Sequence, residues 1–126
     1  MLVLDSGGVS RLAERSPDAE ALIIALRRRS LWPPTVPSTV LVECLTGRPD
    51  RDANANRLLK ACLITTELPE RLARRASLLR HLAGRGSAVD AIVIASAEPG
   101  GVVLTGDVAD LGALAGHAAD VMIEQI

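Results

Sequence analysis

The sequence predicts an α/β fold, with a parallel-stranded central sheet flanked by helices in three α/β/α layers. Three observations carry this. Short aliphatic runs alternate along the chain with longer segments of helical character, the order of units that builds a parallel sheet covered on both faces. The runs Met1–Leu4 and Val102–Leu104 are continuously aliphatic, as in strands buried on both sides. Each run leads into an acid, Asp5 or Asp107, at the carboxyl end of a strand, where such sheets bind ligands.

In order, Met1–Leu4 is expected to be a buried strand closed by a turn at Asp5-Ser-Gly-Gly8. A helix is expected from Pro17 to about Arg29, with Ser16 as N-cap, Pro17 at the first position, Asp18 and Glu20 early and three arginines late. Leu22, Ile23 and Leu26 give it an apolar face. The segment Trp32-Pro-Pro-Thr-Val-Pro37 cannot be helical, which leaves Thr35–Val36 as a short edge-like strand before Ser38 caps the next helix. Glu43 falls in that helix's second turn, on a segment so apolar that little of it is expected to face water, and Gly47 and Pro49 end it.

Asp50–Cys62 is expected to be helical, Leu63–Thr66 a strand, and Pro69 to about Ala83 a helix with a basic outer face, stopped by Gly84–Gly86. Ser87 or its neighbours then start a nearly all-apolar helix. Asp90 lies in its first turn, where unpaired backbone N–H groups favour an anion, and Pro99-Gly-Gly101 ends it. The strand Val102–Leu104 delivers Thr105, Gly106 and Asp107 at its carboxyl end. Asp110 opens a short helix ending near Ala115, and Val121–Ile126 is the last strand.

At 126 residues the chain reads as one domain, with 48% hydrophobic residues and no linker-rich stretch. The first apolar run stops after four residues without a basic flank or cleavage-like site, and no later run approaches membrane-spanning length, so a soluble, cytoplasmic protein is expected. Cys44 and Cys62 match neither a redox pair nor a zinc spacing and are expected to be buried free thiols. Two isolated histidines, His81 and His117, give zinc little support.

A net charge of −1 argues against binding nucleic acid by bulk electrostatics. The basic residues are nearly all arginine, gathered at Arg27–Arg29 and along Arg71, Arg74, Arg75, Arg80 and Arg85. They read as solvated helix faces first and as phosphate contacts second. With no Phe or Tyr and a single Trp, the chain does not resemble a base-stacking platform for single-stranded RNA.

Asp5, Glu43, Asp90 and Asp107 sit at or within apolar segments, where an ionised carboxylate is costly unless compensated. Each alone has an ordinary explanation: Asp5 as a turn cap, Glu43 as an arginine partner, Asp90 as a helix N-terminal acid, Asp110 as a cap. Jointly they do not. Two carboxylates about 5 Å apart repel by roughly 3 kcal/mol at an effective dielectric near 20, so gathering four calls for a divalent cation. Oxygen ligands select a hard ion, Mg²⁺ or Mn²⁺, which suits hydrolysis of a phosphodiester. Ser6 and Thr105 have the chemistry to orient the ligands. A P-loop, a haloacid-dehalogenase-like site and a Rossmann fingerprint each lack a required residue, and for a phosphoaspartate receiver Lys60 is badly placed in the order of elements.

The order of motifs resembles the PIN-domain ribonucleases, in particular the VapC-type toxins of bacterial toxin–antitoxin pairs. The matching pieces are Leu2-Val-Leu-Asp5-Ser6, Pro37-Ser-Thr-Val-Leu-Val-Glu43, Ala88-Val-Asp90-Ala-Ile-Val-Ile-Ala-Ser-Ala97 and Val103-Leu-Thr105-Gly-Asp107-Val-Ala-Asp110-Leu. The resemblance implies a PIN-like domain over residues 1–126 and a Mg²⁺- or Mn²⁺-dependent endoribonuclease. It further implies a homodimer, held in a hetero-oligomer by a cognate VapB-like antitoxin. Asp5, Glu43, Asp90 and Asp107 match the family's acidic quartet, and Asp110 matches a further acidic position. On this resemblance Asp5, Asp90, Asp107 and Asp110 would be metal ligands, and Glu43 would position or deprotonate the attacking water. The chain departs from the family at Ser6-Gly7-Gly8, expected to be more flexible, and at Gly106. The alternative is a catalytically silent PIN-like module whose acidic pocket engages a basic partner segment. Leu31, Trp32 and the helices around Leu12 and Leu45 are candidate partner contacts, against core packing as the ordinary explanation.

Overall fold

A computed structural model describes residues 1–126. The elements are β1 (Leu2–Leu4), α1 (Ser6–Ala13), α2 (Pro17–Arg28), β2 (Thr35–Pro37), α3 (Ser38–Cys44), α4 (Pro49–Leu59), β3 (Leu63–Thr65), α5 (Glu70–Ala83), α6 (Ala88–Ala97), β4 (Val102–Thr105), α7 (Val108–Ala115) and β5 (Met122–Gln125). The strands lie in the order β3-β2-β1-β4-β5 and all neighbours are parallel, as the alternation of elements predicts. Val3 pairs with Thr35 on one side and Val103 on the other.

Parallel crossovers are right-handed in nearly all proteins. From β1 the chain steps outward to β2 and β3, then returns to β4 and steps the opposite way to β5. Right-handed connections therefore carry α1–α4 over one face and α5–α7 over the other. The packing agrees: α2, α3 and α4 gather on α1, α5 and α7 gather on α6, and α1 and α6 both lie against β1 and β4. The change of direction falls between β1 and β4, so the chains leaving these neighbouring strand ends part to opposite faces and open a crevice.

One core of 23 buried residues holds the layers together. Leu2, Val3 and Leu4 are enclosed between Val9 and Leu12 of α1 and the buried face of α6, which includes Val93 and Ile94. Fully burying a side chain of this size contributes roughly 1.5–3 kcal/mol, so the continuous aliphatic runs are what the two-sided burial of β1 and β4 demands. No helix is long and apolar enough to cross a membrane.

Several local expectations are corrected. Asp5-Ser-Gly-Gly8 is the start of α1 rather than a turn: Asp5 Oδ1 accepts the Gly8 N–H at 2.7 Å, and Val9, Leu12 and Ala13 bury the helix's inner face. Leu12 is therefore core and unavailable to a partner groove. β2 is interior, paired with β1 and β3, and its single proline, Pro37, stands at its last position. Ser38 does not cap α3; Pro37 holds that position without a side-chain bond. Pro49 does not end α3 but opens α4 at its first position. On α3 only Val40 is buried, Val42 is 82% exposed and Glu43 is exposed, so the apolar run gives Glu43 little shelter.

The arginines are largely engaged. Arg29 pairs with Glu124, Arg75 with Glu98, Arg74 with Glu70 and Arg85 with Asp110, while Arg27 lies over the Trp32 ring at 5.2 Å. Cys44 and Cys62 are free and half-buried.

Candidate functional site

Helices α1, α3 and α7 start at the carboxyl ends of β1, β2 and β4, and α6 runs back toward the start of β4, so its first turn returns to the same edge. Asp5 is the N-cap of α1, and Asp107 is the N-cap of α7, its carboxylate accepting the Asp110 N–H at 3.1 Å. Asp90 forms a capping box with Ser87, each side chain accepting the other's backbone N–H. Asp5, Asp90 and Asp107 are thus each bound into a helix start, and that is also what brings them together. Helix starts offer free N–H groups and partial positive charge, which fix carboxylates in place and offset some of their repulsion.

The result is a cleft of about 430 Å³ lined by Asp5, Ser6, Gly7, Glu43, Ser87, Asp90, Gly106 and Asp107. All four acids singled out in the sequence line it, together with Ser6. No apolar, lysine or arginine side chain does. One carboxylate oxygen each of Asp90, Asp107 and Asp110 lies within 4.8 Å of the others. Asp110 does not line the cleft, and Arg85 Nε donates to its Oδ1 at 2.7 Å.

Asp5 is the deepest of the acids, at 6% exposure. Its Oδ2 accepts from the buried Thr105 hydroxyl, whose oxygen in turn accepts the Asp107 N–H at 2.9 Å. Burial pushes the Asp5 carboxyl above its ordinary value; the bonds from Thr105 and Gly8 oppose that, and the charges of Asp90 and Asp107 reinforce it. Glu43 is also pushed up, by partial desolvation and then by Asp90 and Asp5, so its charge is felt across the same space. Glu43 has no hydrogen-bond partner in the protein.

The glycines around the site differ in what they require. A Cβ at Gly8 would sit 2.6 Å from the Leu104 carbonyl oxygen, so α1 approaches the end of β4 only because Gly8 lacks one. The expected flexibility at Gly7-Gly8 is replaced by a close-packed first helical turn. At Gly106 a Cβ would meet nothing within 4 Å.

A purely oxygen-bearing cluster whose lining holds no cation fits a hard divalent ion such as Mg²⁺ or Mn²⁺. An apolar hollow of about 170 Å³ lies elsewhere, against α5 and α6, where Ser77 and Arg80 are its only polar side chains and no set of acids or bases converges. Sequence reasoning did not connect Ser87 or Arg85 to the site. The spacing Ser87-x-x-Asp90 is a readable capping signal, whereas no local pattern announces a contact between Arg85 and Asp110, 25 residues apart. The chain matches no protein-family model and no curated protein.

Proposed function

We propose that the chain is a Mg²⁺- or Mn²⁺-dependent endoribonuclease of the PIN-domain type, the toxin of a VapBC-like pair. It acts in the cytoplasm as a homodimer, controlled by a cognate VapB-like antitoxin in a hetero-oligomer. One observation carries the reading: four acids from four separate chain segments line a single cleft at the β1/β4 crevice, with no basic side chain among them. When bound, the cation supplies charge neutralisation for a phosphodiester and a lowered pKa for a coordinated water.

The residues divide the work by position. Asp5 and Asp90, fixed by Gly8, Thr105 and Ser87, offer oriented carboxylate oxygens, and Asp107 joins them from the start of α7. Glu43, exposed, unpartnered and raised in pKa, is suited to hold a water and take its proton. Thr105 keeps Asp5 and the Asp107 backbone in register, and Ser6 completes the polar wall.

The test is a calorimetric titration of Mn²⁺ and Mg²⁺ into the protein beside Asp90→Asn, a substitution that keeps an oxygen to accept the Ser87 N–H. Saturable binding lost in the folded variant supports the reading and justifies a search for the cleaved RNA. Absence of binding to folded wild type rejects it in favour of a silent module whose acids engage a basic partner. The Arg85–Asp110 pair is the observation that favours this second reading, since it is a guanidinium already seated on one acid of the group.

A further inference from the structure

Arg85 projects from the four-residue link between α5 and α6, and the link is held on both sides. Its two glycines adopt positive φ, +67° at Gly84 and +97° at Gly86, and Arg80 Nε donates to the Gly86 carbonyl at 3.0 Å. A Cβ at Gly86 would lie 2.8 Å from Leu114 Cδ1, so the link packs directly against α7. That seating brings Arg85 to Asp110, in the first turn of α7.

Two features of the pair decide its use. Arg85 spends only Nε on Asp110 and leaves both terminal nitrogens without a hydrogen-bond partner in the protein, on a side chain 55% exposed. Asp110 lies outside the cleft lining although one of its oxygens is within 4.8 Å of Asp90 and Asp107. A carboxylate that grips Nε fixes the plane of the guanidinium, and the free terminal nitrogens match the oxygens of a phosphate.

Resting on the nuclease reading, we propose that Arg85 is a substrate-positioning residue that contacts a phosphate of the RNA beside the scissile one, and that Asp110 orients Arg85 rather than ligating the cation. The arrangement places on Asp110, an oxygen of which lies within 4.8 Å of Asp90 and Asp107, the positive group that the cleft lining lacks.

The experiment measures binding of a polyuridine oligonucleotide by fluorescence anisotropy, with Ca²⁺ as the divalent ion and over a range of salt. Wild type is compared with Arg85→Gln, Asp110→Asn and the double variant, and Mn²⁺ is titrated calorimetrically into each. Each single variant is expected to weaken RNA binding about fivefold. The double variant should be no weaker than Arg85→Gln. The slope of log affinity against log salt should shrink by about 0.7, the loss of one phosphate contact on a single strand. Asp110→Asn should retain saturable Mn²⁺ binding. An Arg85→Gln protein with wild-type affinity and slope overturns the proposal, as does an Asp110→Asn protein that no longer binds Mn²⁺. RNA binding that depends on Arg85 in a wild type that takes up no divalent ion supports the phosphate contact while rejecting the nuclease reading. A wild type that takes up Mn²⁺ but binds no oligonucleotide overturns the proposal and leaves the nuclease reading standing on its cation site.

Discussion

The Thr105 hydroxyl donates to the Asp5 carboxylate across the seam between β1 and β4, joining residues 100 positions apart. Its oxygen also accepts the Asp107 N–H, so one buried side chain fixes the first acid of the cleft and the backbone of the last.

Thr105→Val keeps the shape of this side chain and removes both bonds. It leaves a buried carboxylate oxygen and the Asp107 N–H without partners, which is expected to lower stability by about 1–3 kcal/mol. Urea unfolding should show a lower midpoint with an unchanged slope, and Thr105→Ser should recover most of the loss. A midpoint equal to wild type would remove the structural role assigned to the hydroxyl.

Stability of the cation-free protein should rise as pH falls from neutrality. Burial holds Asp5 above its ordinary 3.8, and desolvation with the charges of Asp90 and Asp5 holds Glu43 above 4.5. A raised folded-state pKa means that the fold binds the proton more tightly than the unfolded chain. The contribution is therefore fully present below the ordinary value and lost as pH rises through the raised one. Glu98 and Glu124, lowered by hydrogen bonds from Arg75 and Arg29, act oppositely and lose their contribution on further acidification. A mildly acid maximum follows, which saturating Mn²⁺ should displace toward neutrality. Unfolding curves across pH that decline steadily below neutrality would contradict it.

Asp90→Asn removes a charge that acts on both Asp5 and Glu43 while keeping the capping box acceptor. At neutral pH without divalent ion, thermal unfolding should show a gain of about 0.5–1 kcal/mol, in keeping with partly screened repulsion. A loss of more than that would assign Asp90 to holding the fold.

Gly8→Ala and Gly106→Ala should differ sharply although Gly8 bonds a cleft acid and Gly106 lines the cleft. The first sets a methyl group 2.6 Å from the Leu104 carbonyl oxygen and should cost about 1–3 kcal/mol as α1 moves off β4. The second enters open space and should fall within about 0.5 kcal/mol of wild type. Equal unfolding midpoints would mean that α1 does not depend on this close approach.

The sheet was legible because β1 and β4 must be aliphatic on both faces and because caps such as Ser16 and Ser87 mark helix starts locally. The acids were legible for the same reason, since Asp5, Asp90 and Asp107 sit at strand ends and helix starts. The start of α1 was hidden because Ser6-Gly7-Gly8 has the composition of a turn, and its glycine requirement arises from Leu104, far along the chain. The spacing Val9, Leu12, Ala13 was the one available signal for it. Glu43 misled in the other direction: hydrophobic neighbours suggested shelter, but Val42 points to solvent and α3 buries only Val40. The partnership of Arg85 with Asp110 depends on how a glycine link packs on α7, which no sequence window contains.

The adjacency of β1 and β4 also sets when the cleft can exist. During synthesis Asp5 is made before the other cleft acids, and Thr105 and Asp107 are added only after β1, β2 and β3 have been made. A nascent or prematurely ended chain lacking β4 carries an N-terminal acid with no partner to hold it and no opposite wall. Closing the β1–β4 pair spans most of the polypeptide, a long-range contact of the kind that forms slowly. Whatever the cleft does, a copy of the chain that stops short of β4 is unable to do it.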